Sequence, residues 1–210
     1  MSNILGVWLL LLSSLAWSSS ILVMGDSLSA AYGMPQQQGW VALLDQKLEK
    51  NGFSYEVINA SISGETTHGG LTRLPGALDQ YKPELVVLEL GANDGLRGAP
   101  LALIERNLTR LIAQARAAGA QVLLLEMRIP PNYGPRYSDG FTALFEKVAQ
   151  MQDVLMVPFF MAPVVLQPEL MQDDGLHPNE QAQPVLLDQL WQPLISLLQS
   201  PYQPQKNEGG

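Results

Sequence analysis

The sequence predicts an α/β domain, doubly wound about a five-stranded parallel sheet. Two observations carry that prediction. Five short, nearly unbroken apolar runs alternate with longer amphipathic segments, and small, polar, glycine-rich segments follow the runs. A length of 210 residues suits a single domain, and 47% hydrophobic content is enough for a full core.

The five runs cover residues 21–24, 55–59, 85–90, 121–125 and 154–157. Rich in Leu and β-branched residues, they read as strands covered on both faces. Between the third and fourth, Leu101, Ile104, Leu108, Leu111, Ile112 and Ala115 share one stripe, with Glu105, Arg106, Arg110 and Arg116 off it. That pattern predicts a helix ended by Gly119. Trp40, Leu44 and Leu48 make a second helical face, stopped by Asn51-Gly52. A last helix is expected from about 178 to 198, interrupted at Pro184 and Pro193.

Charge and composition narrow the function classes. Twelve basic against twenty acidic residues give a net charge of −8, which repels phosphate backbones, so no nucleic-acid partner is expected. The absence of cysteine excludes a disulfide scaffold, a thiolate nucleophile and metal–thiolate sites. The apolar run at 4–16 is too short for a membrane span and reads as the core of a signal peptide covering 1–18. Ala16-Trp17-Ser18 offers a small-x-small cleavage site, although the first basic side chain in the chain is Lys47. A periplasmic or secreted destination follows, with no stable membrane span after cleavage. Residues 19–199 are then the domain, and the Pro- and Gly-containing segment 200–210 a frayed tail.

In a doubly wound sheet, ligands bind beyond the carboxyl ends of the strands. The segments there are 25–29, 61–66, 91–95, 128–134 and 173–178. Only two histidines exist, His68 and His177, so histidine-dependent chemistry must use one of them. His177 follows Asp174 by three residues, and one tight turn can aim both side chains the same way. Without cysteine, the nucleophile should be a hydroxyl, and Ser27 sits where a strand would break into a helix. The Ser27 N–H, the Gly64 N–H and the Asn93 side-chain amide could surround a developing oxyanion. Each feature alone has a plainer explanation: a helix cap for Ser27, a turn for Gly64 and Asn93, a structural His-Pro pair. All of them gathered on one sheet edge favour a site.

These blocks resemble the SGNH (GDSL) hydrolase superfamily. The resemblance rests on Gly25-Asp26-Ser27-Leu28-Ser29, Gly64, Gly91-x-Asn93-Asp94 and Asp174-x-x-His177, and it extends from about residue 21 to 198. Residues 59–66, 91–98, 130–134 and 171–179 resemble its bacterial subgroup of multifunctional acyl-CoA thioesterases, arylesterases and lysophospholipases. The resemblance implies a flavodoxin-like three-layer α/β/α fold. It also implies a Ser27, Asp174, His177 triad, oxyanion donors from Ser27, Gly64 and Asn93, and hydrolysis of fatty acyl esters and thioesters with no metal or organic cofactor. The expected partner is a small acyl ester or thioester, taken by a monomer.

An acyl chain needs an apolar trough. Ile129, Pro130 and Tyr133 are the candidates after the fourth strand, with 159–165 as a second apolar wall or as core. Residues 96–100, small and adjacent to Asn93, are the candidate flap. His68 is expected on the surface, and the methionines as core filler. The sequons at Asn59 and Asn107 fall within predicted elements. Asp26 and Asp94 could suggest Mg²⁺, but their neighbours Ser27 and Asn93 fit a hydrolase better. Two rival readings stand beside this one. A carbohydrate acetylesterase of the same superfamily would use Trp40 and Tyr133 as sugar platforms. A non-catalytic flavodoxin-like binding module would need a phosphate-cradling loop after the first strand.

Overall fold

The computed structural model describes residues 19–200; the expected signal peptide and most of the expected tail lie outside them. Five strands form one sheet: β1 (Ser19–Gly25), β2 (Tyr55–Asn59), β3 (Leu85–Glu89), β4 (Gln121–Leu125) and β5 (Leu155–Val157). Their order is β2-β1-β3-β4-β5 and every pairing is parallel. This is the flavodoxin-like arrangement, in which strand order reverses beside β1 and β3 and leaves a crevice at their carboxyl ends.

Helices cover both faces. They are α1 (Trp40–Lys50), α2 (Thr67–Tyr81), α3 (Ala92–Leu96), α4 (Leu101–Ala117), α5 (Pro135–Gln152) and α6 (Gln183–Gln199). α1 packs with α6, while α2, α4 and α5 pack in a row, which gives the three-layer α/β/α architecture. The predicted stripe of α4 is the buried one, and Gly119 follows the helix at φ +88°, the conformation a C-terminal glycine supplies.

Two expectations need correction. The inner strands are buried, apart from the half-buried first residues of β1 and β4; β2 and β5 are partly exposed because each stands at a sheet edge. Pro184 occupies the first turn of α6, where its missing N–H costs nothing, and Pro193 lies inside the helix without ending it. The break falls earlier, as a 3₁₀ turn at Glu180–Ala182 capped by the Asn179 side chain. α2 forms despite Gly69, Gly70, Pro75 and Gly76. Its buried stripe of Leu71, Leu74 and Leu78 overrides propensity. At Gly70 a Cβ would come within 2.6 Å of Leu90 Cδ1, so glycine there lets the helix lie close to the sheet.

Candidate active site

β1 is buried along its length and delivers Gly25, Asp26 and Ser27 to the crevice. Beyond Gly25 the chain enters a run of overlapping turns, with Ala30 N–H donating to Asp26 O and Tyr32 N–H to Ser27 O, rather than the expected helix. The turn keeps Ser27 at the sheet edge. Gly25 is required by crowding, since a Cβ would stand 2.7 Å from both Glu89 Oε2 and Ser29 Oγ.

Ser27 Oγ lies 2.9 Å from His177 Nε2, and His177 Nδ1 lies 2.6 Å from Asp174 Oδ2. The second Asp174 oxygen accepts the backbone N–H groups of Leu176 and His177, each at 2.9 Å. Gly175 at φ +63° makes this turn possible, and the Met171–Pro178 bridge closes the loop at its base. The His177 N–H and the imidazole hold the Asp174 carboxyl low, at about 2, so the ring faces a carboxylate at any neutral pH. That carboxylate fixes a proton on Nδ1 and leaves Nε2 able to accept the Ser27 hydroxyl proton. The Tyr32 ring, 4.5 Å from the imidazole between centroids, flanks it.

Gly64 and Asn93 line the same cavity as Ser27. Gly64 adopts φ +81°, and its carbonyl accepts a hydrogen bond from Arg97 Nη2 at 3.0 Å. A Cβ there would meet only that guanidinium, at 3.8 Å. Glycine is therefore favoured here by its backbone conformation. Asn93 begins α3, and its Nδ2 donates to Asp26 Oδ2 at 2.9 Å. Among the described residues, neither the Ser27 N–H nor the Gly64 N–H meets an acceptor.

The cavity holds about 580 Å³ and is walled mainly by apolar side chains, among them Leu28, Leu96, Ile129, Pro130, Phe159 and Met161. Ile129 and Pro130 thus stand where expected. Tyr133 does not line the cavity; its hydroxyl donates to Leu96 O at 2.9 Å. Tyr137 likewise donates to Ala99 O at 2.6 Å, so the segment expected as a flap is tied down at two points. The 159–165 stretch divides: Phe159, Met161 and Val165 line the cavity, whereas Phe160 and Val164 are core. Met127 and Met161 are core residues, as expected, that also wall the cavity.

Asp94 points away from the chemistry. Its carboxylate accepts the Thr67 N–H and hydroxyl, at 2.8 and 2.7 Å, and so anchors α3 to α2. Asn107, buried, donates to the same Thr67 hydroxyl, and Asn59 donates to Ser29 O. His68 is exposed on α2. No group of three or more His, Asp or Glu side chains is placed to hold a metal ion among the described residues.

Two buried acids escaped the sequence reading. Glu126 accepts the Phe159 N–H at 3.1 Å and pairs with Arg128 at 2.8 Å, fixing the cavity wall. Glu89, fully buried at the end of β3, accepts from Asp26 N–H and the Ser29 hydroxyl. The available signal was a lone acid inside the apolar run 85–90.

Similarity to known proteins adds the chemistry. The model of the GDSL-like Lipase/Acylhydrolase family matches residues 23–183. Esterase TesA of Pseudomonas aeruginosa is 50% identical over 190 residues, covering 90% of this chain and 94% of that protein. The thioesterase 1/protease 1/lysophospholipase L1 of Escherichia coli K12 is 45% identical over 184 residues, 86% of this chain and 87% of its own. Among solved structures, the psychrotrophic esterase EstA from Pseudoalteromonas sp., inhibited by monoethylphosphonate, superposes with a TM-score of 0.83. It shares 46% identity across 87% of this chain and 100% of that one.

Proposed function

The chain belongs to the GDSL-like lipase/acylhydrolase family and is an ester hydrolase; from that membership we propose that it cleaves fatty acyl esters and thioesters through an acyl-Ser27 intermediate. The observation that carries the reading is the continuous contact from Ser27 Oγ to His177 to Asp174, 2.9 and then 2.6 Å, at an apolar cavity.

His177 Nε2 takes the Ser27 proton as Oγ attacks the acyl carbonyl. The resulting oxyanion accepts from the N–H groups of Ser27 and Gly64 and from the Asn93 amide hydrogen not given to Asp26. Asp174 stabilises the imidazolium, whose Nε2–H then protonates the departing alkoxide or thiolate. Water, deprotonated by the same nitrogen, releases the acid and restores Ser27. The acyl chain lies along Ile129, Pro130, Phe159 and Met161. A leaving group on the open side faces solvent, which suits leaving groups as different as a phenol, the alcohol of a lysophospholipid head or a thiol. The relatives' names include arylesterase, thioesterase and lysophospholipase.

The remaining parts of the reading have their own supports. The site is complete within one chain, in keeping with a monomer, and the net charge of −8 disfavours nucleic acid. Among the described residues no helix is long and apolar enough to cross a membrane. The apolar, small-residue segment 1–18 ahead of β1 is what supports export by a signal peptide to the periplasm or beyond. The carbohydrate-esterase alternative loses a platform, because Trp40 is wholly buried.

The test is kcat/KM for 4-nitrophenyl esters from acetate to palmitate, with Ser27→Ala alongside. Rates peaking at medium or long chains, and lost by roughly a millionfold in the variant, are expected. Normal turnover by Ser27→Ala would overturn the assignment, and cleavage of acetate alone would return it to the carbohydrate esterases.

A further inference from the structure

Beneath Ser27 two carboxyl groups face each other out of water. Glu89 is 0% exposed and Asp26 is 1% exposed. Both Asp26 oxygens are engaged by N–H donors, Oδ1 by Leu28 at 3.1 Å and Oδ2 by Asn93 at 2.9 Å. Glu89 Oε2 accepts twice, from Asp26 N–H at 3.1 Å and from Ser29 Oγ–H at 2.8 Å. Glu89 Oε1 is a buried oxygen that no donor reaches.

Neither acid takes part in an ion pair among the described residues. The charged groups on the surrounding elements offer little relief. Arg73 of α2 reaches Met24 Sδ but is committed to Glu65, and Asp94 of α3 is committed to Thr67. Only His177, from the 171–178 loop, exerts an attraction on Asp26. Two ionised carboxylates cannot share such a site, so the pair retains a proton. Asp26 is saturated with N–H donors, which favours its anion. The orphan Glu89 Oε1 accepts from no donor, so a proton placed there disturbs no existing hydrogen bond. Burial pushes both Asp26 and Glu89 above the usual carboxylate range.

We infer that Glu89 is a positioning residue, carrying a proton on Oε1 that it donates to Asp26, so that Asp26 holds one N–H of Asn93 and leaves the other aimed at the oxyanion. The proton also keeps the pair at a single negative charge. A second charge under Ser27 would oppose the oxyanion as it forms. Loss of that proton at alkaline pH therefore lowers kcat.

The inference rests on the acyl-serine reading, and its test separates the two. In enzyme labelled with ¹³C-carboxyl glutamate, infrared spectra at neutral pH should contain a protonated glutamic acid band that E89Q removes, whether or not the enzyme turns over. Glu89→Leu should lose about 10²-fold in kcat with KM little changed, the cost of a misplaced oxyanion donor. Glu89→Gln, whose amide can donate to Asp26 while its oxygen accepts from Asp26 N–H and Ser29, should recover most of that loss and flatten the alkaline fall in kcat. Should Glu89→Leu not fold, the band and the Glu89→Gln pH profile decide. No protonated band in the wild type, a Glu89→Gln as impaired as Glu89→Leu, or an unaltered alkaline limb would each overturn the inference.

Discussion

The side-chain amide of Asn93 donates to Asp26 Oδ2 at 2.9 Å. The proposed oxyanion donor is thus held by the residue that directly precedes the proposed nucleophile. One carboxylate sets both, and β1 and β3, paired in register from Ile21↔Leu85 to Gly25↔Glu89, carry it as neighbouring rigid elements. Replacing Asn93 with Ala should reduce kcat by about 10²- to 10³-fold, because it removes a donor made useful chiefly in the transition state. Measured kcat and KM should separate, with KM nearly unchanged; a loss confined to KM would remove Asn93 from the oxyanion site.

Asp174→Ala should cost on the order of 10³-fold in kcat. That is short of the roughly 10⁴ expected for loss of an orienting aspartate. The Asp174 side chain is 40% exposed, so water can take over part of its contact with His177 Nδ1. Steady-state rates of the variant on one aryl ester check this, and a change under tenfold would show that the imidazole needs no carboxylate.

The cavity predicts a slope as well as an optimum. Each methylene moved from water to the apolar wall contributes about 0.8 kcal/mol, close to fourfold in kcat/KM if it is fully buried in the transition state. The gain should continue until the chain outgrows about 580 Å³ of cavity and then stop. A flat series across chain length would mean that the acyl group lies elsewhere.

The buried acids also predict how stability varies with pH. Glu89 and Asp26 have raised values, so between their ordinary and folded values the native state binds more protons than the unfolded chain. Unfolding free energy therefore falls as pH rises through that window. Asp174, lowered to about 2, acts oppositely and withdraws its stabilisation as pH falls from 3.8 towards 2. Denaturant unfolding at about pH 5 and pH 8 should show a larger decline for the wild type than for Glu89→Gln. Equal declines would place the titration elsewhere.

The parts of the site legible in the sequence are those set by local chemistry. Asp174 and His177 need only one turn to meet, and Ser27, Gly64 and Asn93 each follow a strand end. What escaped depends on neighbours distant in sequence. Glu89 sits among Leu85, Val86, Val87, Leu88 and Leu90, and its partner Asp26 lies 63 residues earlier, so the apolar run concealed it. Phe159 and Phe160 are chemically alike and adjacent; only the turn they occupy sends one to the cavity and one to the core. Tyr133 was judged by its position after β4, but its hydroxyl found the Leu96 carbonyl instead. In α2 the glycines and Pro75 have low helix propensity, and burial on the sheet outweighs it.

Ser27 and His177 are separated by 150 residues, and the last helix is docked by Gln183, whose Oε1 accepts the Trp40 N–H across 143 residues. Nothing synthesised before His177 can supply the base, however well the sheet has formed. Hydrolysis therefore reports complete assembly, not partial structure. In refolding, activity should return with the slowest closure of these distant contacts, after the local helices have appeared. Exported by a translocon, such a chain would stay inert toward acyl lipids of the compartment it leaves until its final fifth had emerged and folded.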